Sequence, residues 1–321
     1  MLAPPAGRGV SKDINLIVTV TINPAVDRNV SADRLVFEDR AYILNRCESA
    51  GGRGINASNV IHSFGGETLA IVTSGGKTGK KFEELLATSS FPVEVVRIRG
   101  EIRTNFTISD KQGLTIKLNE RGPKIEKAEL GRIEKTVRAR LSKAKCLMLC
   151  GSLPPDVGAS FYSRLIHAAK QQGVPTLLDT DGPSLAEAIE AGPSVVTPNQ
   201  SEAEQLLGRA LITRAHFLDA LERIHGMGAA CVILSLGARG AVGIKDGAVV
   251  EAIPPRIDAV CPIGAGDAMA AAYLWSSAQG NGFADSVRWG VAAGTASAKL
   301  PGLQFASLEQ TRKIYAQVEM R

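Results

Sequence analysis

Apolar residues along this chain gather in short, nearly unbroken runs at 15–21, 68–73, 146–150, 176–179, 195–197 and 231–235. Continuous apolarity over so few residues predicts strands buried on both faces, as in a parallel sheet. Between the runs, apolar positions recur every three or four residues, which predicts helices over 56–64, 78–87, 129–141, 161–171, 185–189 and 215–225. This alternation predicts an α/β fold: a doubly wound, mostly parallel sheet flanked by helices. Residues 30–49 and 93–119 break the rhythm with strand-like segments and no helix. Within them RTNFTISD and LTIKLNE, separated by Lys111-Gln112-Gly113, read as a hairpin. These two stretches are expected to form a small β lid inserted in one α/β domain spanning 15–321. Residues 1–14, rich in Pro, Gly and charge, read as a mobile tail, and 266–321 read as helical apart from Pro301-Gly302.

Composition narrows the class of protein. At 321 residues and 45% apolar content the chain can bury a large core. The net charge of +5 comes from 37 basic and 32 acidic residues mixed along the chain, which argues for anionic small molecules over nucleic acid as partners. Five cysteines, an odd number with only Cys146 and Cys150 close together, read as reduced thiols of a cytoplasmic protein. No apolar run reaches bilayer-spanning length, so no membrane partner is expected.

Several segments carry candidate chemistry. In Cys261-Pro262-Ile263-Gly264-Ala265-Gly266-Asp267 the glycines let backbone N–H groups converge, and the small-residue helix that follows points its positive end at the same place. That pattern describes an anion hole, with Asp267 placed to take a proton from an attacking hydroxyl or simply to cap the helix. Ser235-Leu236-Gly237-Ala238-Arg239-Gly240 is a glycine turn at the carboxyl end of a strand, where open α/β sheets bind ligands. Asn199 and Glu202, at i and i+3, either face a hydrated magnesium ion or form a helix cap. Asp27, after the first apolar run, suits sugar hydroxyls or an Asx turn. Arg103 and Arg40 either offer forked donors to a phosphate or are solvated surface arginines. Ser152 ends a strand, but no G-x-S-x-G elbow surrounds it. The four histidines, His62, His167, His216 and His225, all fall in helical segments, so a hydrolase is set aside.

In chain order these pieces resemble the ribokinase-like, phosphofructokinase B type family of carbohydrate kinases. The first signature is GGRGINAS with Gly65 and Gly75 behind it, and the second is PIGAGDAMAAAYL. TINPAVD, EIRTNFTI, LNERGP and CGSLPPDV are similar to the 1-phosphofructokinase and tagatose-6-phosphate kinase branch. The resemblance implies attack of a sugar-phosphate hydroxyl on the γ-phosphate of ATP, with Mg2+ neutralising the phosphates. Asp267 would be the base and Gly264, Ala265 and Gly266 the anion hole. It places Asp27, Gly52, Arg53, Asn56, Arg103 and Ser152 on the sugar side, with Arg40 a looser match. Asn199, Glu202, Ser235, Gly237 and Gly240 fall on the nucleotide side, Glu202 and Asn199 reaching the metal through water. Fructose 1-phosphate or fructose 6-phosphate is the expected acceptor, then tagatose 6-phosphate. A kinase of an unphosphorylated sugar or nucleoside, and a weakly catalytic sugar-phosphate binding protein, remain as alternatives. Three departures stand out. Arg53 replaces a lysine, Thr197 replaces a lysine near the nucleotide, and Cys261-Pro262 replaces an acid and a threonine, leaving activation by K+ open. The lid is expected to cover the sugar and to pair with a second lid in a homodimer.

Overall fold

The structure, a computed structural model, describes residues 15–36 and 38–321; the expected tail at 1–14 lies outside them. Ten strands make the main sheet. Seven are parallel, in the order β5 (Val93–Arg97), β4 (Thr68–Ser74), β1 (Leu16–Thr21), β8 (Ala144–Cys150), β9 (Thr176–Asp179), β10 (Val195–Val196) and β11 (Cys231–Ser235). Three antiparallel strands, β12 (Ala241–Lys245), β13 (Ala248–Ile253) and β14 (Glu319–Met320), complete it. Strand order reverses between β1 and β8, the switch point at which open α/β sheets leave a crevice beyond the carboxyl ends of the strands.

Helices cover both faces. One carries α2 (Gly76–Leu86), α3 (Lys127–Leu141), α4 (Phe161–Gln171), α5 (Gly182–Glu190), α6 (Gln200–Leu207) and α7 (Arg214–Gly226). The other carries α1 (Arg53–Ser63), α8 (Ala265–Ala278), α9 (Phe283–Ala298) and α10 (Leu308–Tyr315). Along β8, Leu147 and Leu149 enter the first core while Cys146, Met148 and Cys150 enter the second. That division explains the unbroken apolarity of the strand. Helix α8 is apolar on nearly every side because it packs between α1 and α9 in the core on this face of the sheet. A Cβ at Gly294 would meet the carbonyl of Ala265, and one at Gly290 the carbonyl of Met269. These glycines let the α9 backbone lie against the first turns of α8.

A separate four-stranded sheet orders β3 (Ile43–Gly51), β2 (Ala25–Ala32), β6 (Arg103–Asp110) and β7 (Thr115–Asn119). Its bounds correct the expected 30–49 and 93–119. It begins at Ala25, because β2 forms directly after the Asn23-Pro24 turn. Residues 93–97 belong instead to the main sheet, paired in parallel with β4. Two further expectations change. Helix α1 starts at Arg53 rather than at 56, since Gly52, at φ 149°, ends the loop. The end of the chain is not wholly helical, because Glu319–Met320 adds an edge strand beside β13, fixed by buried Val318. No helix among the described residues is long and apolar enough to cross a membrane.

The carboxyl end of β8 is held from below by Tyr162, which is fully buried. Its hydroxyl lies 3.0 Å from the Cys150 carbonyl and 2.9 Å from that of Gly151. Tyr162→Phe leaves these acceptors short of a donor and is expected to lower stability by about 1–2 kcal/mol in urea unfolding.

Candidate active site

The crevice brings together strand ends and the first turns of four helices, α1, α5, α6 and α8. Asp267, third residue of α8, lies at its floor with intermediate exposure. Asn56 of α1 donates its Nδ2 hydrogen to Asp267 Oδ2 at 2.6 Å. Desolvation, reinforced by the charge of Asp179, raises the pKa of this carboxyl to about 7. Asn56 and Arg53 oppose the rise. Gly264, at φ 80°, caps α8. The Ala265 N–H donates to the Pro262 carbonyl at 3.2 Å, which removes it from the expected three-amide hole. Among the described residues the Gly264 and Gly266 N–H groups have no backbone acceptor.

Asp27 sits within β2 rather than at the end of β1. A Cβ at Gly51 would overlap its carboxylate, so the first glycine of the GGRG run makes room for this acid. Burial raises the Asp27 pKa, opposed by the Asn105 Nδ2 donor at 2.9 Å and by the nearby Arg103 charge. Arg103 opens β6 and donates from Nη1 to the Glu120 carbonyl at 3.1 Å, while its buried Nε has no partner. Desolvation lowers the Arg103 pKa, so the site favours an anion that would restore its charge balance. Ser152 Oγ accepts from Asn23 Nδ2 at 3.3 Å. Arg40 is exposed in the β2–β3 connection, and no contact ties its side chain to this group.

Arg53 corrects the sequence reading most sharply. Its Nη1 meets Asp179 Oδ1 at 2.8 Å, and its Nη2 meets Asp181 Oδ2 at 2.7 Å and Glu202 Oε1 at 3.1 Å. The charge of Asp179, first, and then those of Glu202, Asp267 and Asp181 raise its pKa further. Both terminal nitrogens are engaged by protein carboxylates, so a sugar's phosphate would have to compete with these acids for the guanidinium. Sequence reasoning missed Asp179 and Asp181. The signal was present as an acid pair, DTDG, at the carboxyl end of a strand.

Asn199 and Glu202 form a reciprocal cap on α6. Asn199 Oδ1 accepts from the Glu202 N–H at 2.9 Å, and Glu202 Oε2 from the Asn199 N–H at 2.8 Å. The other Glu202 oxygen accepts from Arg53, so each oxygen already holds one hydrogen bond. Next to this cap a cavity of about 710 Å³ is lined by Asn199, Ser235, Gly237, Gly240 and Gly266, and by the 254–259 segment, which sequence reasoning missed. Its size and partly apolar walls suit a nucleotide. Thr197, two residues before Asn199, is buried with an unpaired hydroxyl.

Comparison with known proteins identifies the group of enzymes that shares this plan. The model of the pfkB family of carbohydrate kinases matches residues 21–311. The chain belongs to that family. Among its relatives, the ATP-dependent 6-phosphofructokinase isozyme 2 of Escherichia coli is 31% identical over 94% of this chain and 98% of its own. The 1-phosphofructokinase of Haloferax volcanii is 31% identical over 90% and 94%. The crystal structure of Escherichia coli phosphofructokinase-2 with substrates and products superposes at a TM-score of 0.88, with 32% identity over 94% of this chain and 98% of that one. This pfkB kinase therefore shares the complete ribokinase-like domain with its relatives.

Native protein holds the Asp267 proton up to about pH 7, whereas an unfolded chain releases it near 3.8. The residue therefore contributes stability below the lower value that is lost as pH rises through the upper one. Asp267→Asn cannot ionise. It is expected to melt above the wild-type protein at pH 8 and to lose most of that margin at pH 5 in calorimetry.

Proposed function

We propose that this pfkB kinase transfers the γ-phosphoryl group of ATP to a hydroxyl of a ketohexose phosphate, fructose 6-phosphate or fructose 1-phosphate before tagatose 6-phosphate. The observation that carries the reading is the position of Asp267. Its carboxyl accepts from Asn56 on one side, and the preceding residue Gly266 lines the cavity beside α6. A sugar held on the first side presents a hydroxyl to Asp267, and a nucleotide in the cavity presents its terminal phosphate to the Gly264 and Gly266 amides. Asp267, deprotonated above about pH 7, takes the hydroxyl proton as the oxygen attacks phosphorus in line. The amides and the positive end of α8 stabilise charge on the transferred group.

On the sugar side, Asp27 and Asn56 accept and donate to hydroxyls, Ser152 closes the floor, and the unpartnered Nε of Arg103 takes the sugar's own phosphate. Backbone at Gly52 allows close approach. Mg2+ neutralises the nucleotide phosphates when bound, and the engaged oxygens of Asn199 and Glu202 leave no direct ligand for it. Neither a magnesium ligand set nor a K+ site enters the steps assigned to this chain's residues.

The four-stranded sheet serves as a lid that excludes water from the phosphoryl group. Its exposed Ile43, Leu44 and Leu118, with Tyr42 beside them, suit pairing with the lid of a second copy. The engagement of Arg53 leaves Arg103 as the main cation for an acceptor phosphate, which keeps an unphosphorylated sugar as the competing substrate.

A coupled ADP-release assay over fructose 6-phosphate, fructose 1-phosphate, tagatose 6-phosphate, fructose and ribose decides between them. Turnover confined to the phosphosugars is expected, with kcat/KM rising with pH to a plateau above about pH 7. Asp267→Asn is expected to lose about 10²–10⁴-fold in kcat. Arg103→Met is expected to raise the sugar KM about tenfold or more while leaving that of ATP unchanged. Faster turnover of ribose or fructose would replace the proposed acceptor, and undiminished turnover by Asp267→Asn would remove the base.

A further inference from the structure

The carboxylates of Asp179, Asp181 and Glu202 come from three elements: the end of β9, the cap of α5 and the first turn of α6. In an acidic crevice of a phosphoryl-transfer enzyme such oxygens would be expected to draw in a divalent cation. Here they close on the fork of Arg53, at 2.8, 2.7 and 3.1 Å. Direct magnesium or manganese ligation needs oxygens converging at about 2.1 Å on a single point. Oxygens spread around a planar guanidinium do not meet that condition while the fork stands between them. Asp179 and Glu202 side chains are only 8% and 9% exposed, so few of their lone pairs face water. Among the described residues no group of three or more His, Cys, Asp or Glu is disposed to hold a metal ion.

We infer that Arg53 is a resident cation that closes this acidic centre to direct ligation of a free divalent ion. The inference rests on the kinase reading for its biological sense, but not for its test. Arg53 sits at the first turn of a helix, where the helix dipole disfavours a cation, and the three carboxylates offset that penalty. The guanidinium gives the carboxylates what a metal would, with directional hydrogen bonds and a tether of fixed reach. Loss of the fork would leave three neighbouring acids without a counter-ion, and such a group recruits a cation from solution.

Mn2+ binding to the nucleotide-free protein, followed by electron paramagnetic resonance, tests this. Wild-type protein is expected to show only weak, unsaturated binding, and its melting temperature is expected not to respond to millimolar free MgCl2. Arg53→Met, of similar length without charge, is expected to gain one Mn2+ site at least about tenfold tighter than any in the wild type. Saturable Mn2+ binding or a clear MgCl2-dependent rise in melting temperature in the wild-type protein overturns the inference, whether or not the variant folds. A folded Arg53→Met protein that binds Mn2+ no better than wild type overturns it equally. Absence of sugar-phosphate turnover in the assay above would remove the kinase reading and leave the Mn2+ result standing.

Discussion

The crevice depends on one electrostatic arrangement: Arg53 at the start of α1, held by Asp179, Asp181 and Glu202. Four acids, counting Asp267, stand at strand ends or helix first turns around it. Helix N-termini tolerate that density because their exposed N–H groups carry partial positive charge. Burial, reinforced by the remaining excess of negative charge, pushes up the pKa values of Asp267 and Glu202. Breaking such a cluster from the cationic side costs about 3–5 kcal/mol, because buried carboxylates would be left without a partner. The arrangement therefore ties the glycine loop on the sugar side to the helix beside the nucleotide cavity, and it tunes the proposed base as it does so.

Much of the fold is legible along the chain because the core strands are covered on both faces. Runs such as 176–179 and 231–235 coincide with β9 and β11, and the period of α4 coincides with its helix. What local pattern could not supply was partnership. Residues 93–97 read like the lid strands, yet their place beside β4 is set by long-range pairing. The two residues of β14 carry no pattern of their own; Val318 and the open edge of β13 place them.

Legibility of the site divided along similar lines. Glycine spacing pointed to the turn around Gly264, whereas the closeness of Asp27 to Gly51, where only a missing Cβ leaves room, emerges only in the folded chain. Side-chain partnerships were hidden. Arg53 read as a loop cation for a phosphate, but the helix begins one residue after Gly52 and turns the guanidinium to acids more than a hundred residues away. Asn199 and Glu202, read as reaching a metal through water or as a cap, cap α6 against each other. The orphaned Nε of Arg103 arises from tertiary burial and has no sequence signal.

The central claim is that Asp267 receives the proton of an acceptor held between Arg103 and the α8 amides. A crystal structure of the protein with fructose 6-phosphate and a non-hydrolysable ATP analogue tests it most directly. The account predicts the sugar's phosphate on Arg103, its free primary hydroxyl within hydrogen-bond reach of Asp267, and Arg53 still paired with Asp179 and Glu202. A sugar phosphate bound to Arg53, or an acceptor hydroxyl turned away from Asp267, would contradict it.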